Sequence, residues 1–335
     1  MRALTRTTGM FAALLVAAAL GSPARAEVTE VKITKQPGVN YLPMVLVEQN
    51  KLLEKTAKEA GLGDVKVSWI TFKSGGAATD ALLAGSVDLV TSGGTNLLLL
   101  WDKTKGDVKG VAGEAATPML LLTRNDKIKT LKDFTAADKI ALPTVKVSTQ
   151  AIVLSMAAEK YLGEQERVKL DPLTVTMGHP DAQIALTSGA SEVNSHFSLE
   201  PYQTQEQKLP GVRAIVKSTD VLGGPASNGV VFTTTKFHDG NPKLIGALVK
   251  AMNEANDLIA KDKKKAAQIY LEATKEKLPL ETLVEILNNP SVKFSTTPYG
   301  TMKFGDFMHK TGILKTKPAK WTDVYFNEVH KLPGN

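Results

Sequence analysis

The residues of this chain best placed to do chemistry are small and polar, and they sit at the ends of short apolar runs. Ser74-Gly75-Gly76 follows Val65–Phe72, and Ser92-Gly93-Gly94-Thr95 follows Val87–Thr91. Ser148-Thr149-Gln150 lies just beyond Lys139–Leu142, and Gly178-His179-Pro180-Asp181 follows Leu173–Met177. Glycine lets a ligand approach the backbone, while hydroxyl and amide side chains donate and accept hydrogen bonds. Where such a loop opens a helix, unpaired N–H groups and the positive end of the helix dipole suit an anion. Five helix starts have this character: Tyr41-Leu42-Pro43, Gly75-Gly76, Gly94-Thr95, Ser148-Thr149 and His179-Pro180. The loops before them hold no arginine and one lysine, Lys73. The chemistry on offer is therefore the holding of a small anion, or of a neutral polar group, by dipoles and hydroxyls. One such loop alone reads equally as a tight strand-to-helix turn; five of the same character point to a shared cleft.

Covalent catalysis has little to work with. There is no cysteine, which excludes disulfides, thiolate zinc sites, iron–sulfur clusters and a thiol nucleophile. None of the five histidines lies within four residues of another, so metal-ligand spacing is absent. No G-x-S-x-G, H-E-x-x-H, G-x-G-x-x-G or G-x-x-x-x-G-K-[ST] occurs, and Ser92-Gly93-Gly94 lacks the lysine of a phosphate-hydrolysing loop. The expectation is a protein that is not an enzyme and carries no cofactor and no metal.

These loops need elements to position them. The first 26 residues read as a cleaved export signal: Arg2 and Arg6, an apolar Met10–Leu20, then Ala24-Arg25-Ala26 as a cleavage site. Eleven apolar residues are too few to cross a bilayer, which takes roughly 20. Without cysteine the exported protein has no lipid attachment point, so it is expected free in a periplasm after cleavage behind Ala26. Of the formal +7 charge, three arginines belong to the signal, leaving 38 basic against 34 acidic residues. The run Lys263-Lys264-Lys265 has no interleaved aromatic and is flanked by acids, so nucleic acid is not an expected partner.

In the remaining chain, short strands alternate with helical patterns, as in a parallel sheet with crossover helices. A strand at Val31–Thr34 leads to Gln36-Pro37-Gly38-Val39-Asn40-Tyr41 and a helix from Pro43 to about Glu59. Helices are also predicted from Asn96 to Lys103, from Ala151 to Leu162 and from Thr322 to His330, and a long one behind an Asn241 cap and Pro242. The same strand–loop–helix grammar restarts after Met119, so two lobes are expected. Lobe 1 takes residues 27–118 and 226–335 and lobe 2 takes 119–225, with crossings at Glu114–Pro118 and Gly223–Asn228 and with Gly223-Gly224-Pro225 as a flexible break.

Three segments resemble one family, the periplasmic solute-binding proteins of ABC importers in the nitrate, sulfonate and taurine group. Ala81-Leu82-Leu83-Ala84-Gly85-Ser86-Val87-Asp88 is similar to the family's L-x-x-G-x-[IVL]-D run, and Lys127–Phe134 is similar to its "sdspikslaDLkG" segment. Val193-Asn194-Ser195-His196-Phe197-Ser198-Leu199-Glu200-Pro201-Tyr202 resembles its "VDAWVIWDPF" stretch, with Asn194 for the usual aspartate and with His196 and Leu199 where tryptophans are frequent. The resemblance implies an α/β, two-lobed periplasmic-binding-protein fold of type II, each lobe a mostly parallel sheet flanked by helices. Ligand would bind between the lobes, a hinge would close, and the closed monomer would dock on an inner-membrane permease whose ATPase is a separate chain. It makes a sulfonate, taurine, nitrate or carboxylate the expected solute. Ser92, Gly93, Gly94, Thr95, Gly75 and Gly76 would then hold the anionic head, and Ser148, Thr149 and Gln150 would close on it. Tyr41, His179 and His196 would shape the remainder, with Gln36, Gly38, Asn40, Ser74, Thr117, Asn194, Glu200 and Asn228 as further candidates. Two alternatives stay open: a neutral heteroaromatic such as a pyrimidine thiamine precursor, stacked on Tyr41 and His196, and an enzyme on the same fold, whose fungal examples carry a cysteine-rich motif absent here.

Overall fold

A computed structural model describes residues 26–189 and 191–335. Apart from Ala26, the expected signal lies outside the described residues. In chain order, the first elements are β1 (Glu30–Lys35), α1 (Leu42–Gln49), α2 (Leu52–Glu59), β2 (Lys66–Thr71), α3 (Gly75–Leu83), β3 (Val90–Ser92), α4 (Gly94–Lys103) and β4 (Val108–Ala116). Then follow β5 (Leu120–Thr123), β6 (Lys139–Leu142), α5 (Thr149–Leu162), β7 (Thr174–Thr176), α6 (His179–Ser188), β8 (Val193–Ser198), α7 (Tyr202–Gln207), β9 (Arg213–Lys217) and α8 (Ser218–Leu222). The chain ends with β10 (Gly229–Thr234), α9 (Thr235–Gly240), α10 (Pro242–Lys261), α11 (Lys263–Thr274), α12 (Leu280–Asn288), β11 (Lys293–Phe294) and α13 (Thr301–Lys310).

The strands form two separate layers, one per lobe. Lobe 1 holds the order β11-β4-β10-β3, with the parallel pair β1-β2 joined to it through a bridge between Ile33 and Leu89. Lobe 2 holds β7-β6-β8-β5-β9. Both layers are mixed, which corrects the expectation of mostly parallel sheets. β1-β2, β6-β7 and β6-β8 are parallel, but β3-β10, β4-β10, β4-β11, β5-β8 and β5-β9 are antiparallel. A crossover helix returns a strand parallel to its predecessor. β5 and β10 instead enter straight from the other lobe, so no crossover within the sheet sets their direction.

Burial follows the layering. β4 and β10 lie inside their sheet and are almost entirely buried, as strands covered on both faces are. α10 is amphipathic: Leu244, Ile245, Leu248, Met252, Ala255 and Ile259 are buried at three- and four-residue spacing, and the helix packs on α1 and α2.

Four local expectations are corrected. The helix from Pro43 breaks at Asn50, where Asn50 N–H closes back on Leu46 and Glu48 and Lys51 turns left-handed (φ 51°). The segment Thr322–His330 forms two 3-10 turns, Trp321–Asp323 and Asn327–Val329. Asn241 does not cap α10 with its side chain, which binds Val28 N–H and Phe237 O; the Glu27 carboxylate accepts from Lys243 and Leu244 N–H instead, both at 2.9 Å. A carboxylate outcompetes an amide there because it answers both the free donors and the dipole. Gly223, expected in a flexible break, is a helix cap, its left-handed φ of 68° closing α8. The two crossings are tied to each other: Asn228 accepts from Thr117 N–H at 3.0 Å and donates to Thr117 Oγ1 at 2.8 Å, while Met119 N–H donates to Ser218 Oγ.

Candidate functional site

A cavity of about 30 Å³ lies between the lobes. It has room for about two water molecules, since one needs roughly 10–15 Å³. Lobe 1 supplies Gln36, Tyr41, Gly75, Ser92 and Gly93 to its wall, lobe 2 supplies Ser148, Thr149, Gln150 and His179, and Asn228 comes from the crossing. Pro37, Lys73, Asn96, Pro143 and Leu199 also line it.

Four helices begin at this cavity. The N-caps of α3 and α5 are Ser74 and Ser148, whose hydroxyls accept from Ala77 and Ala151 N–H. Those of α4 and α6 are Gly93 and Gly178, which have no side chain to cap with. The first-turn N–H groups there have no partner in their own helices. α4 begins at Gly94, two residues before the predicted span, and Asn96, which was not among the candidates, lies in its first turn and donates to Ser92 Oγ at 2.7 Å. Pattern reading placed Gly93-Gly94 in a loop because two glycines argue against a helix. Gln36 donates to Thr91 O at 2.6 Å, fixing its amide beside the Ser92 end of β3.

The lobes are in contact across this cavity. Thr95 Oγ1 donates to Val147 O at 2.9 Å and lies 3.3 Å from Thr149 Oγ1. Gly93 is pressed against Thr149 so tightly that a Cβ there would overlap its hydroxyl. Lys73 pairs with Asp181 at 3.0 Å, with 81% and 50% of the two side chains exposed. An exposed pair contributes about 0–1 kcal/mol, so the buried backbone and hydroxyl contacts hold the closed form more than this ion pair does.

Several candidates do not line the cavity. Gly38 takes a φ of 132° and packs on Leu199, and Asn40 donates to Asn228 O at 3.1 Å. Ser74 is occupied as a cap, Gly76 faces Thr144, Gly94 faces Ser227 O, and Thr95 and Thr117 form the lobe contact and the crossing tie. Asn194 points away: its amide donates at 2.6 Å to Asp138. Burial opposes ionisation of Asp138, but hydrogen bonds from Thr135, Asn125 and Asn194 outweigh it and hold the carboxyl below its usual range. Glu200 turns to Gln203 at 2.7 Å, and burial pushes its carboxyl up. His196 is wholly buried behind His179, so it has no face free for a ligand to stack on.

What lies behind the cavity is a line of four side chains. Gln150 Nε2 is 3.1 Å from His179 Nε2, His179 Nδ1 is 2.8 Å from His196 Nε2, and His196 Nδ1 is 2.7 Å from Glu206 Oε1. Burial, aided by His196, pushes the His179 imidazole well below its usual range, so it stands neutral at the wall. Tyr202 stacks on it, ring centres 5.9 Å apart. Glu206 escaped sequence reading because a glutamate in Gln203-Thr204-Gln205-Glu206-Gln207 looks like a solvated helix face. Among the described residues no cluster of His, Asp or Glu could hold a metal ion, and no helix is long and apolar enough to cross a membrane.

A protein of Brachyspira hyodysenteriae, named for periplasmic binding in an ABC transporter, is 24% identical over 264 residues, covering 75% of this chain and 71% of its own. A protein of Escherichia coli named for binding aliphatic sulfonates is 24% identical over 251 residues, 73% of this chain and 72% of its own. Among solved structures, the alkanesulfonate-binding protein SsuA of Xanthomonas axonopodis pv. citri, bound to MOPS, superposes with a TM-score of 0.71 at 17% identity, covering 90% of this chain and 99% of that one. The periplasmic-binding-protein fold is therefore shared. The model of the NMT1-like family matches residues 24–272, and the chain belongs to that family.

Proposed function

We propose that this chain is the extracytoplasmic solute-binding component of an ABC import system. It captures a small anionic solute of the sulfonate, nitrate or carboxylate class by closing lobe 1 (27–118 and 226–335) on lobe 2 (119–225). The closed monomer delivers the solute to a membrane permease served by a separate ATPase chain. Its place is the periplasm, freed by cleavage after Ala26 and without a lipid anchor. It is a carrier and not an enzyme.

One observation carries this reading: the starts of α3, α4, α5 and α6, two from each lobe, meet at one small cavity whose buried lining is neutral and rich in donors. Partial positive charge from several helix ends, without an arginine, holds an anion that must also be released. The small volume favours a compact head group. A stacked heteroaromatic is less well served, because His196 is covered and Tyr41 alone remains.

The test is a thermal-shift series on the mature protein with methanesulfonate, taurine, nitrate, acetate and a hydroxymethylpyrimidine. A ligand at 100 times its Kd stabilises by about 2.7 kcal/mol, so an anion is expected to raise the melting temperature by several degrees. A rise with the pyrimidine alone overturns the anion reading.

A further inference from the structure

The line Gln150–His179–His196–Glu206 does more than brace the wall, because its proton positions follow from its geometry. The Gln150 NH2 group can only donate, so His179 Nε2 accepts from it and the His179 proton sits on Nδ1. That proton points at His196 Nε2, which must accept, so the His196 proton sits on Nδ1 and points at Glu206. The His179 proton therefore faces away from the cleft, and its Nε2 is an acceptor engaged by the Gln150 amide. An anion arriving beside Gln150 finds no N–H of His179 to meet it.

The surroundings make one further proton the natural remedy. Glu206 is wholly buried and its Oε2 has no hydrogen-bond partner among the described residues. The other titratable and charged groups around the line are Glu200, Tyr202 with its Glu276 partner at 2.5 Å, Tyr41 across the cavity, and the Lys73–Asp181 pair at the mouth. The one cation among them is Lys73, and it is exposed and already paired. A bound anion puts negative charge at the front of a line that already ends in a carboxylate, and a proton between two negative groups is favoured by both.

We infer that the solute enters as an anion together with one proton, taken from solvent onto Nε2 of His179. The only bond made is that N–H. The proton turns His179 from acceptor to donor; Gln150 turns its amide so that Oε1 accepts the new N–H, and the Gln150 NH2 group then donates into the cleft. His196 and Glu206 are positioning residues: they fix which nitrogen of His179 faces the ligand and supply the charge that retains the added proton. This rests on the anion reading above.

Free His179 loses its proton well below the usual histidine range, and bound His179 must lose it at a higher pH. Between those two values the affinity for the anion falls up to tenfold for each unit of rising pH, and outside them it is flat. Calorimetric titration of the mature protein with methanesulfonate, taurine and nitrate, in two buffers of different ionisation enthalpy between about pH 5 and 7, reads the protons taken up. Up to one proton per anion is expected. His179→Gln is expected to bind with none, and Glu206→Gln, which can still accept from His196, with fewer at the same pH. Buffer-independent heats in the native protein, or uptake that survives His179→Gln, overturn the inference.

Failure of every anion to bind overturns the anion reading itself, and the line is then judged on nitrogen-15 spectra of the five histidines without ligand. Those should show His179 and His196 both protonated on Nδ1 and bare on Nε2. A proton on His179 Nε2 at neutral pH in the free protein refutes the line whatever binds.

Discussion

Each lobe buries one carboxylate completely, and the two are handled in opposite ways. In lobe 1, Glu114 lies on β4 behind Tyr41 with neither oxygen in a hydrogen bond of ordinary geometry, and burial pushes its carboxyl well above the usual range, against a weak pull from Met44 N–H. In lobe 2, Glu206 accepts from His196 at 2.7 Å and is thereby connected to the cavity wall. A buried carboxyl without a partner keeps its proton; one facing an imidazole can share it. The difference sets the lobes apart: lobe 1 shapes the cleft with neutral groups, and lobe 2 backs its wall with a hydrogen-bonded line of imidazoles ending in an acid.

Removing each acid breaks or sharpens that contrast most directly. Glu206→Leu leaves the His196 Nδ1–H without an acceptor in a dry interior, and deleting one partner of a buried pair costs about 3–5 kcal/mol. The urea midpoint should fall accordingly. A midpoint that moves no more than for an ordinary surface substitution would show that the pair is already served by water.

If lobe 1 acts by shape, its sensitive residue is Gly93. Its backbone angles, φ −70° and ψ 150°, suit any residue, so alanine adds no backbone strain. The added Cβ would, however, overlap the Thr149 hydroxyl when the lobes meet. Gly93→Ala should weaken binding of the ligand found by thermal shift by at least about tenfold, or 1.4 kcal/mol, while the unliganded protein melts within a few degrees of the native one. Unchanged affinity would mean that the closed contact is not part of binding.

Glu114→Gln addresses lobe 1 itself and should cost less than about 1 kcal/mol at about pH 3, well below the ordinary glutamate value, where the acid is protonated folded or unfolded. Because the folded carboxyl holds its proton to a higher pH than the unfolded one, the native protein loses stability as pH rises from about 4.5 through the folded value. The glutamine variant should lack that decline and overtake the native protein at neutral pH. Parallel urea midpoints from pH 3 to 8 for the two proteins would put an ionised Glu114 in the core.

How much of this was readable beforehand depends on how local the cause is. The helix starts at Gly75 and His179, the Ser148 cap of a helix that begins at Thr149, two residues ahead of the predicted Ala151 start, and the two-lobed order were legible, because caps, glycines and alternation act within a few residues. Sheet direction was not, since β5 and β10 take theirs from the lobe they have just left. Asn194 and His196 sit two residues apart on one strand and therefore on the same face. Even so, one turns to Asp138 and the other lies behind His179, a sorting made by neighbours remote in sequence. Glu206 was hidden for the same reason, as nothing within α7 marks which two of its five polar residues, Gln203 and Glu206, are buried.

The smallest effect belongs to the one charge that lobe 1 does bring to the cleft. Lys73 lines the cavity mouth, yet its side chain is 81% exposed and its ammonium group is engaged by Asp181. Screening and side-chain entropy limit such a pair to about 1 kcal/mol, so Lys73→Met should change affinity by less than about fivefold, and still less at high salt. A loss much larger than that, persisting in salt, would make Lys73 a direct partner of the anion in the bound form. Lobe 1 would then supply charge as well as shape, and the division of work between the lobes would have to be redrawn around that one ammonium group.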